Sequence, residues 1–121
     1  MAEHNILGHK GEMLAARYLM EQGFAVLEYN WRSGKKEIDI IAKERNVLVF
    51  VEVKTRSTDA YGDAVEAVTP DKISNIISAA NSYLKMKKLD TEVRFDVVTL
   101  VGNIGNCRIE HIRDAFYPLL S

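Results

Sequence analysis

This sequence predicts an α/β fold with the element order α-β-β-β-α-β-β and a mixed five-stranded sheet. Three observations carry that expectation. Apolar residues recur at helical spacing in two segments, 5–22 and 70–87. Two β-type runs, Glu37–Ala42 and Val47–Lys54, flank a short polar turn. The second helix separates that hairpin from a further strand, Glu92–Val101, so the chain contains a β-helix-β crossover, and crossovers join parallel strands.

With 121 residues, 1–121 is expected to form one domain with a real core. A hydrophobic share of 47% beside 27% charged residues is that of an ordinary soluble protein. The net charge of -1 excludes a global basic field, so any anionic partner must be held by a local patch. Cys107 is the single cysteine, which rules out an internal disulfide and fits a reducing compartment. The first residues lack the basic and apolar regions of a signal peptide. The longest strongly apolar run, Val47–Val51, is too short to span a bilayer. The expectation is a cytoplasmic protein with no membrane partner.

In the first helix Leu7, Gly11, Leu14, Ala15, Tyr18 and Leu19 form one stripe, with Asn5 as expected N-cap and Gly23 as left-handed C-cap. Glu12 lies at the edge of that stripe; spacing alone reads it as a solvated helix glutamate. Phe24–Arg32 reads as a strand. Ser33–Lys36 is a turn whose Lys35 and Lys36, with Arg32 before them, could touch phosphate, although short basic clusters on turns are usually only solvated.

In the hairpin, strict alternation puts Glu37, Asp39 and Ile41 on one face and Ile38, Ile40 and Ala42 on the other. The second strand is apolar on both faces, as a covered central strand should be. If Arg45-Asn46 is a two-residue loop, Glu44 pairs with Val47 and Asp39 falls opposite Glu52, with Lys54 two residues beyond. A slip of one residue would separate the two acids.

Thr55–Gly62 reads as a loop, and 63–68 has no clear period. Thr69-Pro70-Asp71 is a helix start, followed by the stripe Ile73, Ile76, Ile77, Ala80, Tyr83 and Leu84. Lys85, Lys87 and Lys88 complement the helix dipole. Gly102–Asn106 is a turn, and Cys107–Ile112 an antiparallel partner strand. His111 there reads as structural or solvated, and Ala115–Leu120 as a hydrophobic latch or an interface segment.

Charged groups inside strands need partners or a cation. Converging carboxylates repel unless they bind a cation or share a proton. Mg²⁺ takes one or two carboxylates plus waters and substrate phosphate. A lysine beside them would stabilise charge developing in phosphodiester hydrolysis. An acid-x-Lys strand is also common by chance, and a cross-strand Glu–Lys ion pair explains it equally well at this level.

The whole arrangement carries more. Glu12 on an N-terminal helix, Asn30-Trp-Arg32, Glu37-Ile-Asp39-Ile-Ile, Val51-Glu-Val-Lys-Thr-Arg56 and Tyr61-Gly62 together resemble the YraN family of small bacterial proteins, over about residues 8–100. That family is described as predicted nucleases of the restriction-endonuclease-like superfamily, with a PD-(D/E)xK site, and is similar in fold to Holliday-junction resolvases. The resemblance implies that Asp39 and Glu52 bind Mg²⁺ or Mn²⁺, with the Val53 carbonyl and Glu12 as further ligands and Glu37 assisting. It makes Lys54 the lysine of the motif and Arg56 a candidate phosphate contact, in addition to Arg32, Lys35 and Lys36 of the turn. Tyr61 and Gly62 would shape the loop beside the site. The implied partner is nucleic acid, DNA in branched or flapped form, and the resolvase likeness admits a homodimer. Lys36 and Arg45 depart from glycines common in that family. Two other readings stand beside it: a non-catalytic nucleic-acid-binding or protein-interaction module on the same fold, and an α/β interaction protein whose acids form structural salt bridges.

Overall fold

The computed structural model describes residues 2–56, 68–103 and 106–117, with the side chains of 2–9 and 103 left aside. The elements are α1 (Ala2–Glu21), β1 (Ala25–Ser33), β2 (Lys36–Glu44), β3 (Val47–Arg56), α2 (Pro70–Lys87), β4 (Glu92–Asn103) and β5 (Asn106–Ile112). The expected order α-β-β-β-α-β-β is the observed one. The loop expected at Thr55–Gly62 starts two residues later, because Thr55 and Arg56 still belong to β3; the rest of it, with Tyr61 and Gly62, lies outside the described residues. Among the described residues, no helix is long and apolar enough to cross a membrane.

The strands form one sheet in the order β1-β2-β3-β4-β5. β3 and β4 run parallel, as the crossover through α2 requires, and the other pairs are antiparallel. β3 is central, and Leu48, Val49, Phe50 and Val51 along it are all buried.

Each helix covers one face. Ala15, Ala16 and Leu19 of α1 pack in one core with Ile40, Ala42, Val49, Val51 and Val98 of the sheet. Under α2 lie Ile38, Ile41, Phe50, Phe95 and Val97, with Ile76, Ala79, Ala80 and Tyr83 of the helix itself. Phe116 joins that second core, and the Ala115 amide donates to the Phe95 carbonyl at 2.7 Å, so the start of the expected latch is packed.

Local chemistry sets the ends. α1 starts at Ala2, so Asn5 lies inside the helix and does not cap it; its apolar stripe begins too late to reveal the extra turn. Its other end closes on Gly23, φ 98°, where the Gly23 amide donates to Met20 O and Phe24 to Leu19 O. Thr69 caps α2, its Oγ1 accepting from the Lys72 amide at 3.2 Å.

The alternation expected along β2 is corrected. Ile40 and Ala42 pack under α1, but Ile38 packs with Ile41 under α2. Strict alternation would keep Ile38 and Ile40 together. The reversal falls at Asp39, between the pairs Tyr29↔Ile40 and Trp31↔Ile38. Asn30, opposite Asp39 on β1, has φ 48°, a left-handed backbone that asparagine tolerates better than most residues. A local distortion of this kind re-aims side chains without changing the register on either side.

Candidate functional site

The site grows from the place where β2 and β3 part. Their ladder runs from Glu44↔Val47 to Ile40↔Val51. This is the register set by the two-residue turn, with Arg45 at φ 55° taking the left-handed conformation that glycine would adopt more cheaply. One step beyond the last pair the side chain of Asp39 replaces the ladder. Its Oδ2 accepts from the Val53 amide at 2.8 Å. Glu52, only 2% exposed, stands beside it, close enough for the two carboxyls to share a proton.

Burial, then the charge of Glu52 and a hydrogen bond to it, push Asp39 up to about 7. The Val53 amide and the charge of Lys72 pull the other way and lose. Two carboxyls in this position hold either a proton or a cation between them.

Glu12 arrives from α1. Glu12, Glu37 and Asp39 each offer a carboxylate oxygen, and the three atoms lie within 4.8 Å of one another. Close passage of the helix makes this possible. A Cβ at Gly11 would stand 2.9 Å from Thr55 Cγ2 and 3.1 Å from Leu100 Cδ1, so α1 rests directly on β3 and β4 there. Glu37 also pairs with Arg32 at 3.2 Å.

Lys54 Nζ lies 3.6 Å from Glu52 Oε2. Lys72 Nζ, from the first turn of α2, lies 3.4 Å from the same oxygen. Sequence reasoning passed over Lys72. Its signal was a cation at the positive end of a helix dipole, a position that favours acids and therefore suggests an outside partner. Glu37 was given a secondary place, although its i, i+2 spacing to Asp39 already put the two on one side.

The donor set fits a hard divalent cation. Glu52 Oε1 is buried with no hydrogen-bond partner among the described residues, so once the proton shared with Asp39 is gone this oxygen is open to a cation. All the acids offer oxygen, the ligand type that Mg²⁺ and Mn²⁺ prefer.

The structure thus brings together Glu12, Asp39, Glu52 and Lys54, with Val53 bound to Asp39 through its amide. The expected phosphate contacts divide. Arg32 and Lys35 are exposed at the β1–β2 turn. Lys36 is turned to α2, where Nζ donates to Ser78 Oγ at 2.8 Å. Arg56 is 3.9 Å from Glu110 on β5, and its side chain is largely covered.

A second polar cluster lies elsewhere under α1 and holds structure. Asp96 is fully buried; it receives Arg94 through both oxygens, His111 Nε2 at 2.8 Å and the Asp114 amide at 3.0 Å. Burial alone would raise its carboxyl, but the hydrogen bonds from His111, Arg94 and the Asp114 amide lower it to about 2. His111 also meets Tyr18 OH through Nδ1 at 3.1 Å, so this histidine is structural, as one of the two sequence readings held.

Residues 11–100 match the family described as "Uncharacterised protein family UPF0102". A UPF0102 protein of Bacteroides thetaiotaomicron is 49% identical over 120 residues, covering 99% of each chain. One from Bacteroides fragilis is 48% identical over 120 residues, again covering 99% of each. One from Flavobacterium johnsoniae is 46% identical over 121 residues, covering 97% of this chain and 98% of its own. Their names assign no activity.

Proposed function

We propose that this chain, which belongs to the uncharacterised protein family UPF0102, is a divalent-metal-dependent nuclease that hydrolyses phosphodiester bonds in DNA, in branched or flapped structures. The observation that carries the reading is the meeting of Asp39 and Glu52 where β2 and β3 part, with Lys54 on one side and Glu12 on the other. The resemblance to the YraN family and its PD-(D/E)xK site supports the same reading.

In this proposal Asp39, Glu52, Glu12 and the Val53 carbonyl hold Mg²⁺ or Mn²⁺, and Glu37 steadies Glu12 and Asp39. Bound there, the cation supplies Lewis-acid stabilisation of a phosphate oxygen and a more acidic water. The chain's own groups do the rest. The Val53 amide fixes Asp39 in one orientation, so the carboxylate is ready before substrate arrives. Lys54 faces the phosphate, orients the attacking water and offsets the negative charge that grows as the water oxygen bonds to phosphorus and the ester oxygen leaves. Lys72 adds a second positive charge on the same side of Glu52.

The test is a panel of linear, flapped and four-way DNA substrates, each with and without Mg²⁺ or Mn²⁺. Metal-dependent cutting of at least one structure, abolished by Asp39→Ala, is the expected result. Equal cutting by the mutant would assign the activity to a contaminant and overturn the reading. DNA binding that survives Glu52→Ala, with no cutting by any form, would instead favour the non-catalytic binding module.

A further inference from the structure

Beside the acidic cluster, α1 and the edge strand β1 enclose a groove of about 630 Å³. Its lining includes Lys10, Glu12, Met13, Arg17, Met20 and Tyr29. Glu12 therefore belongs both to the groove and to the set it forms with Glu37 and Asp39. Tyr29 pairs with Ile40 on the α1 side of the sheet and is 52% exposed. Met13 and Met20 are 63% and 51% exposed. Lys10, Met13, Arg17 and Met20 recur at three- to four-residue spacing, so they share one face of α1. Among the described residues, neither Lys10 nor Arg17 is paired with an acid.

We propose that this groove binds an unpaired nucleic-acid strand and leads it to the acidic cluster. The proposal rests on the nuclease reading for its destination but not for its binding chemistry. Tyr29 offers a π-face on which a base can stack, and every base has one. The methionine side chains are soft and adaptable, so they can line the bases without selecting a sequence. Lys10 and Arg17 stand about 10 Å apart along the helix axis, the span of roughly three stacked nucleotides. Two cations with no acid partner among the described residues, at that spacing, complement a phosphate backbone; a second apolar protein surface would leave them without counter-charges. The volume is that of a small-ligand pocket and takes loose bases more readily than a duplex. The substrate class that follows is DNA or RNA with a single-stranded arm, cut near the point where the arm enters.

Fluorescence anisotropy in EDTA tests the binding without turnover, using a fluorescein-labelled oligothymidine and a labelled blunt duplex. The wild type should prefer the single strand. Tyr29→Ala should weaken that binding about tenfold while leaving the duplex nearly unaffected. Lys10→Ala and Arg17→Ala should each make the salt dependence shallower by about 0.7 in log–log slope. All three positions line an open groove, and circular dichroism checks that each variant folds. Single-strand binding that is absent, or unchanged in all three variants, overturns the groove even if Asp39-dependent cutting is found. Groove-dependent binding with no cutting by the wild type upholds it and sinks the nuclease reading instead. A wild-type dimer in sedimentation that Tyr29→Ala converts to monomer assigns the groove to a second copy of the chain and overturns the proposal.

Discussion

The backbone amide of Val53 donates to Asp39 Oδ2 at 2.8 Å, at the first position past the β2–β3 ladder. A side chain here takes the place of a strand. The same bond orients the carboxylate toward Glu52, so the end of a sheet ladder and the centre of the candidate site are one feature. A half-buried carboxylate in a strand needs such a donor, and the Val53 amide supplies it.

Asp39→Asn separates the two duties of this residue. The carboxamide oxygen can still accept from Val53, so the fold should hold with a melting temperature within a few degrees of wild type. Cutting of the susceptible DNA structure should fall by at least about a hundredfold, the scale seen when one charge-stabilising group leaves an active site. A single-turnover assay beside a thermal melt checks both halves. A mutant that melts far lower but cuts normally once folded would make Asp39 a structural residue only.

The raised Asp39 gives a pH dependence with a definite sign. Its carboxyl holds the proton more tightly in the folded chain, near 7, than in the unfolded chain, near 3.8. Between those values the folded state binds more protons, so stability falls as pH rises. The contribution is fully present below about 3.8 and is lost as pH passes about 7. Metal-free protein should therefore lose melting temperature across that window, and Asp39→Asn should lose less. On the proposed reading Mg²⁺ displaces the proton, so its affinity should rise with pH over the same range, as isothermal titration would record.

Gly11 predicts a coupling across two elements. Alanine there gains about 1 kcal/mol in helix propensity. Against that, its Cβ would meet Thr55 Cγ2 at 2.9 Å and Leu100 Cδ1 at 3.1 Å. Overpacking costs about 1–3 kcal/mol, and a β-branched strand residue has little room to turn away. Gly11→Ala should destabilise by about 1 kcal/mol and lift Glu12 away from Asp39, cutting activity more than stability. Thr55→Ser removes the obstructing methyl and should restore part of both in the double mutant. Strict additivity of the two changes in denaturant titrations would show that the contact is unimportant.

Asp96→Ala tests the second cluster. It leaves Arg94 and His111 without their buried carboxylate, and breaking such a network costs about 3–5 kcal/mol. Urea titration should show that loss, while cutting per folded molecule stays unchanged. The paired carboxyl is depressed to about 2, so its contribution is present above the unfolded value of 3.8 and disappears as pH falls through 2. Acid titration of Asp96→Asn should show a weaker drop than wild type in that range.

Much of this was legible in the order of residues, because it depends on neighbours in the chain. Two periodic stripes separated by β-type runs specify the elements. A two-residue turn at Arg45-Asn46 specifies the pairing of Glu44 with Val47, and with it the approach of Asp39 to Glu52. The resemblance to a known family drew Glu12 to the same place. Local pattern erred where it assumed an unbroken pleat: Ile38 lies on the opposite face from Ile40, because Asn30 and Asp39 reverse both strands at one level.

What only the tertiary structure decided are the encounters between distant segments. Lys72, in the first turn of α2, reaches Glu52 of β3 although the two lie twenty positions apart in the chain. Glu37 joins Glu12 and Asp39 because Gly11 lets α1 settle onto the sheet. Lys36, a candidate phosphate contact by sequence, is turned to Ser78 on α2. His111, ambiguous as a letter on a strand, is held between Asp96 and Tyr18. Periodicity and turn chemistry act over a few residues and can be read from the chain, whereas the partner of a buried charge is chosen by packing across the whole sheet.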